Sequence, residues 1–215
     1  MAEAGTRTPR ERYRTQVRAE IKQHAWEQIA TTGASALSLN AIAKRMGMSG
    51  PALYRYYGGR DELITELVRD AYRSLADTLR AAADDGAGLA GLAHALRAWA
   101  LEDPQRYLLI YGTPVPGYHA PDDITRIPAE TMAVLLDASA ALPSGRPETP
   151  FDAHLADHRG WAGDHPAPPA VLHRALAFWT RLHGVLSLEL AGHFTGMGFD
   201  PARLFAAELD DLLAP

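Results

Sequence analysis

The sequence predicts an all-α protein of about nine helices, and three observations carry that prediction. Apolar residues recur at helical spacing along most of the chain, breaks fall at Gly, Pro and Asp-Pro positions that suit helix ends, and no segment alternates with the period of two that marks a strand.

From Thr15 to Ala30, Val17, Ile21, Ala25 and Ile29 recur every four residues beside Trp26, which predicts an amphipathic helix stopped at Gly33. Residues 1–14 ahead of it read as a flexible basic arm. A short second helix runs from Leu39 to Met46, with Ser38 as N-cap, Ile42, Ala43 and Met46 inward, and Gly47 as its stop. The third, about 50–57, starts after Ser49 and carries Pro51 in its first turn, where the missing N–H is harmless. Leu53 and Tyr57 are its apolar contacts. Leu63, Ile64, Leu67, Val68, Ala71, Leu75 and Leu79 then make one continuous face of a long helix over 61–83.

Beyond "DDGAG", Leu89 to Leu101 predicts a fifth helix, which Asp103-Pro104 separates from a sixth over 105–111. "YGTPVPGYHAP" is a loop, and 121–141 resumes helical periodicity through Ile124, Ile127, Met132, Leu135 and Leu136. Residues 142–169 are the least regular and read as a loop, with room for one short helix at 151–159. The segment 170–194 is apolar around most of its circumference, the pattern of a helix buried on both sides. Asp200-Pro201 caps a last helix carrying Leu204, Phe205, Leu209, Leu212 and Leu213.

Composition narrows the chemistry. The 215 residues include no cysteine, which removes disulfides, thiol catalysis and thiolate metal sites and leaves His, Asp and Glu as the available ligands. There is no apolar run of membrane-spanning length and no secretory signal at the N-terminus, so the expectation is a soluble, cytoplasmic protein without a cofactor. The net charge of −5 is unevenly spread: residues 1–60 hold ten Lys/Arg against four Asp/Glu, a balance of +6, and the remainder eleven against twenty-two, or −11. A basic segment joined to an acidic body is the pattern of a nucleic-acid module, although a solvated basic face would look the same.

Two short helices joined by the tight "GMS" turn behind a scaffold helix make a helix-turn-helix, motif about 38–57, whose second helix enters the DNA major groove tip first. That tip needs small residues, and Gly50, Pro51 and Ala52 supply them. Phosphates on the groove walls call for hydroxyls, cations and helix N-termini, met here by Ser49, Tyr54, Tyr56, Arg55 and Arg60, and by Ser38 and Asn40 at the start of the second helix. Arg55 is the leading candidate for base contact, because guanidinium pairs bidentately with guanine.

Residues 21–68, with "LSLNAIAKRMGMS", "ALYRYY" and "RDEL", resemble the DNA-binding domain of TetR-type bacterial transcriptional regulators. The resemblance implies Ser38 and Asn40 at the DNA backbone, Gly50, Pro51, Ala52, Tyr54 and Arg55 on or beside bases, and Tyr56 and Arg60 at phosphates. Tyr57 replaces the usual phenylalanine, and Gly58-Gly59 a more rigid turn. The spacing Trp179, His183, Gly184 in "WTRLHGVL" is similar to a TetR subgroup with a Trp-His-Gly signature in its effector domain. The family further implies a domain over 15–62 for DNA and one over 63–215 for a small effector and for homodimerisation through 170–194 and 201–213. It implies a double-stranded DNA operator as partner, and repression as the commonest outcome.

Trp99, Tyr107, Tyr111, Tyr118, Phe178, Trp179 and His183 are the candidate lining of a pocket for a small, largely apolar effector. Aromatics at helical spacing serve equally as plain core, and His183 equally as a core histidine bonded across helices. One rival takes His154, Asp157, His158 and His165 as the metal site of a small hydrolase, since histidines at i and i+4 can chelate zinc. HExxH is absent, however, and a surface coincidence is the simpler account. A second rival is an architectural DNA-binding dimer that answers to no ligand.

Overall fold

The computed structural model describes residues 8–121, 124, 126–143 and 147–214, and among these it contains ten α-helices and no strand. The chain divides into two compact units: one runs up to Val68 and includes Thr113–Ala120, and the other comprises Arg69–Gly112 and the chain from Pro121 onwards.

In the first unit, α1 spans Pro9–Thr32 and buries Val17, Ile21, Ala25 and Ile29, the predicted stripe. It begins at Pro9 rather than Thr15 because Thr8 and Glu11 form a capping box: Glu11 N donates to Thr8 Oγ1 at 3.3 Å and Thr8 N to Glu11 Oε2 at 2.7 Å. Residues 9–14, expected within the arm, are therefore helical, and residues 1–7 of that expectation lie outside the described residues. Helix α2, Leu39–Arg45, is capped by Ser38, whose Oγ accepts from Ala41 N at 3.4 Å. Ser38 N donates to Gln28 Oε1 at 2.7 Å, and Arg45 reaches Glu27 at 2.8 Å, so α1 fixes both ends of α2.

Gly47 turns the chain out of α2 at φ +65° with open space around its missing Cβ. An alanine there meets no clash but holds a left-handed backbone that disfavours any L side chain. Gly47→Ala should therefore destabilise the unit by about 1 kcal/mol, and Gly47→Asn by less, in chemical denaturation.

Helix α3 covers Gly50–Leu53 and is shorter than the predicted 50–57. The Arg55 and Tyr56 amides bond to the carbonyls of Ala52 and Leu53, three residues back, so the single α turn continues as tighter turns to Tyr57. Gly58 N then donates to Glu62 Oε2 at 2.6 Å, and α4 starts at Arg60 and continues to Asp84. Leu37, Leu39, Ile42, Leu53, Tyr57, Leu63, Ile64 and Leu67 are all buried, as the α1 stripe is.

The second unit holds the remainder of α4 together with α5, Leu89–Glu102; α6, Pro104–Tyr111; α7, Arg126–Ala140; α8, Pro150–Asp157; α9, Pro169–Leu190; and α10, Pro201–Leu213. Leu75, Leu79, Leu92, Leu96, Trp99, Tyr107, Phe178, Leu182, Leu186 and Phe205 share one core around α9. Across it, both terminal nitrogens of Arg97 bond to Glu189 at 2.5 and 2.9 Å, and the guanidinium carbon lies 5.1 Å from the Phe205 ring centre. Helix α9 ends at Leu190 rather than Phe194, because Gly192 takes φ +78° just beyond it. Helix α7 begins at Arg126, later than the predicted 121, and positions 122, 123 and 125 of that prediction lie outside the described residues.

Within 142–169, the short helix α8 docks Leu155 against Leu136, Val171 and Leu172. Its Asp152 is fully buried, accepting from Thr149 N at 2.7 Å and paired with His173 Nδ1 at 2.9 Å. With α8 counted, the expected nine helices become ten.

Candidate nucleic-acid interface

Asn40, Ser49, Pro51, Tyr54 and Arg55 are exposed along the α2–α3 pair, and Ser38, Gly50, Ala52, Tyr56 and Arg60 are half-buried among them. The turn at Gly47 brings α3 back against α2: a Cβ on Gly50 would stand 3.3 Å from Asn40 Oδ1. Gly50 therefore matters for closeness as well as for the small tip that the sequence suggested. Ser49 occupies the N-cap position of α3, but its hydroxyl makes no capping bond.

The two arginines differ. Arg55 is exposed and its backbone carbonyl accepts from Arg14, whereas the Arg60 side chain is held inside the unit: Nη2 donates to the carbonyls of Ala34 and Ser35, each at 3.1 Å, and Nη1 lies 3.5 Å from Asp61. Arg60 thus tethers the link between α1 and α2, a task its sequence position did not reveal. Two further residues, Arg14 from the expected arm and Arg18, which was no candidate, face the turns after α3: Arg14 Nη2 donates to Arg55 O at 3.5 Å, and Arg18 Nη1 to Tyr56 O at 2.7 Å. Their spacing of four along α1, beside the buried stripe, was the available signal.

In the second unit, five of the seven predicted pocket residues form one aromatic cluster. Tyr107 lies 6.4 Å from Trp99, 5.2 Å from Tyr111 and 5.5 Å from His183 between ring centres, and His183 is 4.3 Å from Tyr111 and 4.0 Å from Trp179. Phe178 is buried in the same core. Tyr118 belongs to the first unit instead, with its hydroxyl 3.1 Å from Thr65 Oγ1.

The cluster is built around the Tyr107 hydroxyl, which donates to His183 O at 3.2 Å and lies 2.9 Å from His183 Nδ1 and 2.8 Å from Ser187 Oγ. In either tautomer of His183, Nε2 is buried with no partner among the described residues. Burial without a charged partner lowers the His183 pKa to about 4, so the ring is neutral near pH 7. Burial also raises Tyr107 to about 12, against the opposing Ser187 hydrogen bond, and pushes Tyr111 well above the usual phenol range.

Trp99 also borders a cavity of about 450 Å³ lined by Ser74, Thr78, Glu102, Asp103 and Arg106. Its wall is polar: Trp99 Nε1 donates to Ser74 Oγ at 3.1 Å, and Arg106 Nε is 3.0 Å from Asp103. A cavity of this size suits a small molecule. The rival metal set does not converge. His154 and His158 stack at 3.9 Å with His158 Nδ1 donating to His154 O, His165 pairs with Asp137 at 3.1 Å, and the described residues hold no cluster of three or more metal-ligating side chains. No helix among the described residues is long and apolar enough to cross a membrane.

Comparison with known proteins adds to this geometry. A family model described as bacterial regulatory proteins, tetR family, matches residues 21–67, and one described as tetracyclin repressor-like, C-terminal domain, matches residues 89–212. The chain is 36% identical over 217 residues to the HTH-type transcriptional regulator Rv1816 of Mycobacterium tuberculosis, with 94% of this chain and 92% of the relative covered. The crystal structure of SCO4313, described as a regulatory protein, is similar at TM-score 0.90 and 79% identity, covering 97% of this chain and 100% of the other. The TetR family transcriptional regulator PfmR from Thermus thermophilus shares the fold at TM-score 0.58 and 16% identity, covering 90% of this chain and 96% of its own.

Proposed function

The chain belongs to the TetR family of bacterial transcriptional regulators, DNA-binding proteins rather than enzymes, and from that premise we propose that it is a cytoplasmic, ligand-responsive repressor acting as a homodimer. The observation that carries the reading is the exposure of Asn40, Ser49, Pro51, Tyr54 and Arg55 together along the α2–α3 pair. Ser38, Asn40, Ser49, Tyr56 and Arg60 serve the DNA backbone, while Gly50, Pro51 and Ala52 let the tip approach and Tyr54 and Arg55 read bases.

Two subunits, joined through α9 and α10, would set their reading helices in successive major grooves about 34 to 36 Å apart on a near-palindromic operator. The effector binds in the second unit, where Trp99 borders both the polar cavity and the aromatic cluster of Tyr107, Tyr111, Phe178, Trp179 and His183. That arrangement favours a ligand with an apolar body and a polar end. The spacing of Trp179, His183 and Gly184 supports a place for the chain in the Trp-His-Gly subgroup. Effector binding alters the separation of the reading heads, α4 being continuous from one unit into the other, with a coupling of about 1 to 3 kcal/mol.

Selection of bound fragments from the parent genome tests this. It should enrich an inverted repeat, and enrichment of none would sink the repressor reading. On the selected operator, Arg55→Ala should reduce discrimination at one base pair of each half-site by about 1 to 3 kcal/mol, measured by competition between operator variants.

A further inference from the structure

Arg18 touches three partners in two parts of the first unit with one guanidinium. Nη1 donates to Tyr56 O at 2.7 Å, the guanidinium carbon sits 4.3 Å over the centre of the Tyr57 ring, and Nη2 lies 3.4 Å from Glu66 Oε2 on α4. Helix α3 needs such support. A helix of one turn is marginal by itself, and the carbonyls of Ala52 and Leu53 accept from the Arg55, Tyr56 and Tyr57 amides in turns that run only as far as Tyr57. The chain leaves for Gly58 directly afterwards, so the carbonyls of Arg55 and Tyr56 receive N–H donors from α1 instead, the firmer from Arg18 and the longer from Arg14.

A planar guanidinium can donate in two directions in its plane while offering its face to an aromatic ring; an ammonium cannot hold all three partners at once. The side chain is 27% exposed and Tyr57 is fully buried, so the contact is sheltered on one side and draws strength from that.

We propose that Arg18 is a positioning residue for DNA reading: from α1 it clamps the turn that follows α3, at Tyr56, and so sets the direction in which Tyr54 and Arg55 point. Arg18 makes no phosphate contact in this role. Glu66 holds the guanidinium from α4 and orients it toward Tyr56. The DNA consequence rests on the regulator reading above, but the clamp itself does not.

Two measurements test it. Hydrogen exchange on the full-length, DNA-free protein should show the Tyr54 to Tyr57 amides of Arg18→Gln exchanging about tenfold faster than in the parent, with the α2 amides of Ile42 and Met46 unchanged. Arg18→Lys should give a smaller acceleration at the same amides, and is the variant to read if Arg18→Gln does not fold. Unchanged exchange at Tyr54 to Tyr57, or equal acceleration in α2, overturns the clamp. On an operator recovered by genomic selection, Arg18→Gln should bind about tenfold more weakly, with affinity for scrambled duplex and the salt slope on both duplexes retained. A slope reduced by about one on both duplexes makes Arg18 a phosphate contact and overturns the proposal. If no operator is recovered, the regulator reading fails while the exchange result still decides the clamp.

Discussion

Replacing Arg97 with methionine should destabilise the second unit by about 3 kcal/mol, because it strands the Glu189 carboxylate in a site with little water. The two side chains are only 13% and 17% exposed, and the pair is bidentate. Such a pair is strongly destabilising to break and weakly stabilising to own, since desolvation of both charges offsets most of their attraction. The double variant Arg97→Met, Glu189→Leu should therefore return to within about 1 kcal/mol of the parent. Chemical denaturation of the parent, both single variants and the double variant measures the coupling. An Arg97→Met protein as stable as the parent would show that water reaches the pair freely. The methionine stem keeps part of the packing against Phe205, so the loss reports chiefly on charge.

The second large effect concerns pH. His183 is neutral in the folded protein with a pKa lowered to about 4 by burial, against 6.5 when unfolded. Below 6.5 the unfolded chain takes up a proton that the folded one refuses, so stability falls as pH drops from 6.5 toward 4 and this contribution levels off below that. The loss amounts to about 3 kcal/mol. Tyr107 and Tyr111, the ionisable groups in contact with the ring, remain neutral phenols throughout this range. Urea unfolding between pH 7 and pH 4.5 should therefore show a steeper decline for the parent than for His183→Gln, whatever that variant loses at pH 7. Parallel curves would mean that the imidazole is hydrated in the folded state. The comparison of slopes carries the result, because whatever the two proteins share cancels in it.

Much of the DNA-binding unit was legible because its signals are local. Val17, Ile21, Ala25 and Ile29 repeat every turn, Ser38 stands one residue before an apolar helix, and Gly47 sits where a tight turn needs φ above zero. The early start of α1 was also legible in Thr8-Pro9-Arg10-Glu11, whose spacing is that of a capping box, but the basic residues around it suggested an arm. The roles of Arg18 and Arg60 were not legible. Their acceptors are backbone carbonyls 38 and 26 residues away, and a carbonyl is common to every residue type, so nothing in the sequence marks the partner.

The second unit was harder to read. Five of its aromatic residues named from the sequence lie in one cluster, yet Tyr118 could be assigned only by knowing that its loop belongs with Thr65 in the other unit. Helix α8 offers a single buried leucine and a buried aspartate, too little apolar periodicity to outweigh the prolines and glycines around it. The hydrogen bond joining Tyr107 to His183 crosses 76 residues, and neither residue type announces the other.

The brevity of α3 has a consequence for how such a protein changes over generations. With one α turn, and with Leu53 and Tyr57 committed to the interior, Pro51, Tyr54 and Arg55 are the exposed side chains along its reach. If these side chains read the bases as proposed, a new DNA address lies only two or three codon changes away, while the scaffold beneath stays untouched. Duplicated copies of the gene can part company in what they recognise long before they differ in how they fold.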